Sequence, residues 1–236
     1  MKYMGGKYHL RKDIAEILNP LGGPYWIPFV GSGWVLSELQ GRRYASDINA
    51  PLIAFWEAVQ RGWRPPLEVS ESMYHAAKKS WELQDGRYVD PLIAFIAFGC
   101  SWGGKWFGGF ARDGKRGERN YARETWSSIR KYKLEAFRDV TFFVADFLHT
   151  DPPEDNMVIY ADPPYKGTTG YTYEPTWDPK EFWDRARHLS SGGHRVFVSE
   201  YNAPEDCRIV LTKKQRLSVR SSQGCEYREE KLWEVI

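Results

Sequence analysis

The residues of this chain best suited to chemistry are Asp162-Pro163-Pro164-Tyr165, placed directly after the apolar run Met157-Val158-Ile159-Tyr160-Ala161. Such a run reads as a buried strand, so the turn falls at a strand end. A planar amine conjugated to a ring is a poor nucleophile because its lone pair is delocalised. A carboxylate and a backbone carbonyl that accept its two N–H bonds draw the nitrogen toward tetrahedral geometry and release that pair. Asp162 has the carboxylate and Pro163 the carbonyl, and the two prolines stiffen the turn without adding N–H groups of their own. Tyr165 offers a flat face to a planar ring, a contact worth about 1–3 kcal/mol when the ring is a nucleobase. With a pKa near ~4, a carboxylate is far too weak a base to deprotonate an aryl amine beforehand, so its role is to orient and polarise. The chain also carries a control. Asp151-Pro152-Pro153-Glu154 repeats the first three letters but follows Thr150 in a polar stretch and ends on a carboxylate, and it reads as a plain turn.

Two further features sit at strand ends. Phe29-Val30-Gly31-Ser32-Gly33 follows the apolar run at 25–29, and its glycines let backbone approach a ligand closely. Asp47 ends the next short strand, in the position where a carboxylate accepts hydrogen bonds from ribose hydroxyls. Ser46-Asp47-Ile48-Asn49 also precedes a helix, where Asn49 can serve as the cap and leave Asp47 for a ligand. Together these features favour an adenosine-type cofactor and leave NAD and S-adenosylmethionine both open.

The elements that must hold these residues alternate at both ends of the chain. Strands are expected at 25–29, 42–46, 141–146, 157–161 and 195–199, and helices at 34–39, 50–61 and 179–189. Residues 215–221 and 228–235 read as an antiparallel hairpin around Gly224. Pro65-Pro66 breaks the pattern, and from there to about residue 140 the chain reads helical with a glycine-rich interruption at 99–117. The expected organisation is one doubly wound α/β core, residues 1–64 and 141–236, carrying an insertion at 65–140. In such a sheet, ligands bind beyond the carboxyl ends of the strands.

The chain has 236 residues, 42% of them hydrophobic, and no run approaches the roughly 20 apolar residues of a membrane span. No secretory leader is evident at Met1-Lys2, so a cytoplasmic protein without a membrane partner is expected. The three cysteines lie far apart, the five histidines are scattered singly, and no metal site or disulfide framework is expected. The net charge of +2 conceals an asymmetry. Residues 105–133 hold nine Lys or Arg against three acids, six charges net positive, which leaves the remainder at −4. Trp106, Phe107, Phe110, Tyr121 and Trp126 interleave these charges, a composition suited to phosphate contacts with stacking aromatics. Lys105, Arg112, Arg116, Arg119, Asn120 and Arg123 are the candidate DNA contacts, on the chemistry that Arg reads guanine and Asn reads adenine.

The ordered set of motifs resembles the Dam-type adenine-N6 DNA methyltransferases of bacteria and their phages. It begins with Lys2-Tyr3-Met4-Gly5-Gly6-Lys7, similar to the family's aromatic-x-Gly-Gly-Lys opening, and continues through residues 28–33, 46–49, 143–147 and the Asp162 turn. Tyr3 stands where the family more often has tryptophan. The resemblance implies a Rossmann-like S-adenosylmethionine-dependent methyltransferase fold, a mostly parallel sheet with a C-terminal antiparallel hairpin and an inserted DNA-recognition lobe. It implies that Tyr3, Lys7, Asp47 and Asp162 contact S-adenosylmethionine, that Phe29, Gly31 and Gly33 line its pocket, and that Asp146 and Phe147 lie near its adenine. Asp162, Pro163, Pro164 and Tyr165 would be catalytic, S-adenosylhomocysteine the product, and double-stranded DNA the partner, with GATC as target, the protein acting as a monomer or weak dimer. The same turn serves other planar amines, namely an RNA base, cytosine N4 or a protein glutamine, and a non-catalytic nucleic-acid-binding relative is the reading from another class.

Overall fold

The computed structural model describes residues 3–112, 119–132, 134–164, 178–221 and 224–236, and for 134, 215–221 and 224–228 it describes the backbone alone. The chain runs α1 (Arg11–Leu18), β1 (Tyr25–Ile27), β2 (Arg43–Asp47), α2 (Ala50–Gln60), α3 (Glu71–Leu83), α4 (Asp90–Gly99) and α5 (Tyr121–Ile129). It continues through β3 (Val140–Val144), β4 (Val158–Ala161), α6 (Pro179–Ser191), β5 (Arg195–Glu200), β6 (Cys207–Ser221) and β7 (Gly224–Val235). The seven strands form one sheet in the order β3-β2-β1-β4-β5-β7-β6. The first five strands pair in parallel, whereas β7 is antiparallel to both β5 and β6. This is a mixed α/β sheet of Rossmann-like, doubly wound form ending in an antiparallel hairpin, as the sequence led us to expect. The strand order reverses between β1 and β4, which makes their carboxyl ends the crevice of the fold.

Alternation along each strand builds two cores. Tyr25 and Ile27 of β1, Val158 and Tyr160 of β4, and Phe197 of β5 pack on one face, with side chains of α1, α2 and α4. Trp26, Ile159, Ala161, Val196 and Val198 point to the other face, where Phe182, Ala186 and Leu189 of α6 cover them. The helix starts are capped as their sequences allow. Asn49, Ser70, Asn120 and Asp178 each accept a backbone N–H of the first turn of α2, α3, α5 and α6. Among the described residues no helix is long and apolar enough to cross a membrane.

Four elements differ from the sequence reading. The helix expected at 34–39 is one 3₁₀ turn, Leu36–Glu38. There the Ser37 hydroxyl donates to the Trp34 carbonyl at 2.8 Å, and Leu39 turns extended. Helix α1 went unread. The hairpin starts at Cys207, well before residue 215, because Cys207 to Ile209 pair with the end of β7. Strand β1 stops at Ile27, since Pro28 has no N–H to offer a neighbour.

Candidate active site

Beyond the carboxyl ends of β2, β1 and β4 lies a cavity of about 250 Å³. Three successive features of the sequence form its walls: the segment from Tyr3 to Lys7, the turn Phe29 to Ser32, and Asp47 to Asn49. Asp162, Pro163 and Pro164 close it from the end of β4, together with Tyr160, Tyr201 and Glu230.

The glycine turn is shaped by its neighbours. Gly31 adopts φ +45°, its carbonyl accepts the Trp56 indole N–H at 2.9 Å, and a Cβ placed there would stand 3.1 Å from the Tyr3 ring. Tyr3 in turn packs on Phe98, ring centroids 4.8 Å apart. The turn is thus pinned from below by the core and roofed by an aromatic ring. Asp47 is buried beside it, with Oδ2 accepting the Gly31 N–H at 3.2 Å and Oδ1 the Asn49 N–H at 3.1 Å. Asn49, whose Oδ1 accepts the Leu52 N–H at 3.0 Å, is the helix cap. Each Asp47 oxygen thus keeps acceptor capacity beyond these bonds, and the residue lines the cavity. Burial pushes its carboxyl up to about 6, against the pull of the two backbone donors.

At the other end, Lys7 Nζ meets Asp162 Oδ1 at 2.8 Å and donates to the Gly5 carbonyl at 2.9 Å. Lys7 is only 5% exposed, and Asp162 20%. A residue from the N-terminal segment thus holds the carboxylate of the β4 turn, over a sequence separation that no local pattern reveals. Glu230, on β7, reaches the same cavity, and its Oε2 is buried with no hydrogen-bond partner. Burial raises its pKa, Lys7 opposes that shift, and Asp162 adds to it. A smaller hollow adjoins, lined by Pro163, Pro179, Phe182, Trp183, Glu200, Tyr201 and Asn202. Pro163 and Tyr201 belong to both cavities.

Of the residues named from the sequence, Tyr3, Lys7, Phe29, Gly31, Asp47, Asp162, Pro163 and Pro164 come together in the main cavity. Gly33 shapes the turn from behind. Phe147 is buried behind Phe29, 5.4 Å between ring centroids, and packs with Trp26 and Phe182 in the second core. Asp146 accepts the Leu148 N–H and pairs with His149. Tyr165 and Arg116 lie outside the described residues. The second Asp-Pro-Pro copy is at the surface, where Asp151 pairs with Arg185 and Glu154 binds Tyr44 and Arg42. Missed by the sequence reading were Ile48, Tyr160, Tyr201 and Glu230. Only Ile48 had a local signal, an apolar residue immediately after the strand-end carboxylate, and it remains 40% exposed.

The basic segment is less free than its composition suggests. Arg112 pairs with Glu71, Arg119 binds Glu124 through two contacts of 2.8 Å, and Arg123 lies 3.6 Å from Glu68. The Asn120 side chain caps α5, and Lys105 is half-buried. Trp106 and Phe107 are core residues, 3% and 8% exposed, whereas Trp102 is 66% exposed. Trp102 begins a turn whose Gly104 carbonyl accepts the Met4 N–H at 3.3 Å, which ties the backbone of that turn to the N-terminal wall of the cavity. Among the described residues no group of three or more His, Cys, Asp or Glu side chains could hold a metal ion.

Residues 3–89 match the family model of the D12 class N6 adenine-specific DNA methyltransferases. The match takes in Tyr3, Lys7, the glycine turn and Asp47, and ends well before Asp162. No curated protein matches the chain. Among solved structures it is similar to the precorrin 8w decarboxylase of Methanobacterium thermoautotrophicum, at 12% identity and a TM-score of 0.40 over 97% of this chain and 89% of that one. It is similar to a putative RNA methyltransferase, PH1948 of Pyrococcus horikoshii, at 11% identity and a TM-score of 0.42, covering 97% and 85% of the two chains. A third is SMU.472, a putative methyltransferase complexed with SAH, at 16% identity and a TM-score of 0.38 over 99% of this chain and 54% of that one.

Proposed function

We propose that this protein, whose first third matches a DNA methyltransferase family, methylates the N6 amine of adenine in double-stranded DNA, with S-adenosylmethionine as donor. The observation that carries the reading is the meeting of Lys7, from the Gly-Gly-Lys segment, with Asp162 of the Asp-Pro-Pro-Tyr turn, in a cavity that also holds Asp47.

The cavity's chemistry fits the donor. Asp47 supplies lone pairs for ribose hydroxyls, Phe29 and Ile48 supply apolar surface for an adenine ring, and Gly31 leaves space beside Tyr3 that a side chain would fill. Lys7 and Asp162 are opposite charges for an amino-acid end. When bound, the donor supplies an electrophilic methyl group on a sulfonium. The chain's own residues do the rest. Asp162 and the Pro163 carbonyl accept the two N–H bonds of the target amine and free its lone pair. Pro163 and Tyr201 border the smaller hollow, which suits a base turned out of the helix stack, with Tyr165 as its stacking face. The target-recognition lobe is residues 65–140. Lys105, Arg112, Arg116, Arg119, Asn120 and Arg123 remain its candidate contacts, and the exposed indole of Trp102 is a further stacking surface. GATC is the proposed target by resemblance.

The direct test is to express the chain in cells that lack adenine methylation and sequence the modified bases. N6-methyladenine at a fixed sequence is the expected result. Asp162→Ala is expected to abolish it, with turnover in vitro reduced at least about 10²–10³-fold, while the protein still folds by circular dichroism. Wild-type turnover in that variant would refute the mechanism. Unmodified adenine in cells making a folded protein that binds the donor would move the reading to another planar amine.

A further inference from the structure

The cavity contains a charge that the proposed mechanism leaves idle. Among the described residues lining it, Lys7 is the one cation, against Asp47, Asp162 and Glu230. Asp47 is held by the N–H groups of Gly31 and Asn49, and Asp162 by Lys7. Glu230 differs from both. The residue lines the cavity, and its Oε2 is buried and accepts no hydrogen bond. A buried carboxylate oxygen left in this way costs free energy that a bound donor group would recover.

We infer that Glu230 accepts a hydrogen bond from the α-ammonium group of the amino-acid end of the methyl donor, fixing that end beside Lys7 and Asp162. The inference rests on the reading of the cavity as an S-adenosylmethionine site. Three observations select the ammonium. First, the donor carries two cations, sulfonium and ammonium, and only the ammonium has N–H groups to give an orphaned oxygen. Second, Glu230 belongs to the cavity with Asp47 and the glycine turn and is not part of the smaller hollow, where Glu200 is the carboxylate. The target amine has two N–H bonds, which Asp162 and the Pro163 carbonyl already accept, so it has none left for Glu230. Third, the excess of acid over base in the cavity complements a ligand whose two cations outnumber its one carboxylate. Glu230 is thus a positioning residue. It holds the donor's chain so that the methyl is presented to the Asp162 turn, and it touches neither the methyl nor the amine.

The experiment is calorimetric titration of wild-type protein and Glu230→Gln with two ligands, S-adenosylhomocysteine and its analogue lacking the α-amino group. Wild-type protein is expected to prefer the amino-bearing ligand at least about tenfold, the scale of a hydrogen bond between charged groups. Glu230→Gln keeps shape and one acceptor but loses the charge. It is expected to bind the two ligands within about threefold of each other, with the affinity for the analogue unchanged. A preference that survives intact in Glu230→Gln overturns the inference while leaving the cofactor site standing. If wild-type protein binds neither ligand, the cofactor reading falls and the inference with it. Should the variant fail to fold, the wild-type comparison still decides: equal affinity for the two ligands refutes an ammonium contact.

Discussion

Asp47 illustrates how burial and hydrogen bonding can pull a single side chain in opposite directions. Its carboxyl is pushed by burial from an ordinary 3.8 up to about 6, even though two backbone N–H groups stabilise the anion. The unfolded chain ionises this group above pH ~4, and the folded chain resists until about 6. Folded protein is therefore penalised as pH rises through that window, by up to about 3 kcal/mol once the group is fully ionised. A ligand hydroxyl donating to the carboxylate reverses part of the penalty. Urea denaturation across about pH 4 to 7 checks the sign. Wild-type protein without ligand is expected to lose about 2 kcal/mol relative to Asp47→Asn over that range. Parallel profiles for the two proteins would mean that the carboxyl is already well solvated. Cofactor affinity is expected to fall in the wild type below about pH 6, as the anion is lost.

The elements that place these residues were legible to different degrees. Asp47 and Asp162 could be found because each ends an apolar run, and a strand end is a local property. Glu230 and Tyr201 could not. Glu230 reaches the cavity because β7 pairs antiparallel with β5, Ser199 opposite Leu232 and Glu200 opposite Lys231, and that register is a long-range outcome. Trp34 to Leu39 failed for a related reason. Its apolar residues suit a helix, but tertiary contacts decide otherwise, with the Trp34 ring stacked on Tyr132 at 3.7 Å between centroids. The glycine turn before it is constrained more tightly than its sequence announces. Gly33 has φ +69°, and a Cβ there would approach Trp56 to 3.2 Å and Phe137 to 3.4 Å. Gly103 has a similar φ of +65° with nothing within 4 Å. Alanine at Gly103 then measures the cost of the left-handed backbone alone, about 1–2 kcal/mol. Gly33→Ala is expected to cost at least about 1 kcal/mol more, because the ring it meets belongs to the packed core. Equal losses in thermal melts would show that Trp56 yields freely.

At the scale of the whole molecule, the question is whether residues 65–140 are an appendage or part of the core. The sequence reading sets their boundaries at Pro65-Pro66 and the return of strand alternation, but the run in α4 is apolar on every side and so has no face that names its neighbours. In the structure Ile93, Phe95, Ile96 and Phe98 are all at most 3% exposed, and they share one hydrophobic cluster with Leu52, Phe55 and Trp56 of the sheet-packing helix α2. At about 1.5–3 kcal/mol for each fully buried large side chain, those four residues amount to about 6–12 kcal/mol. That is comparable to the net stability of an entire domain, about 5–15 kcal/mol. Melting the insertion by itself would uncover α2 as well, so the rest of the fold has no margin with which to survive it. A single calorimetric transition is therefore expected, with van't Hoff and calorimetric enthalpies in a ratio near 1. Two resolved transitions, or a folded protein after excision of 65–140, would make the lobe independent. Joined in this way, a displacement of residues 65–140 bears directly on the cavity, since Phe98 and Trp106 are among its walls.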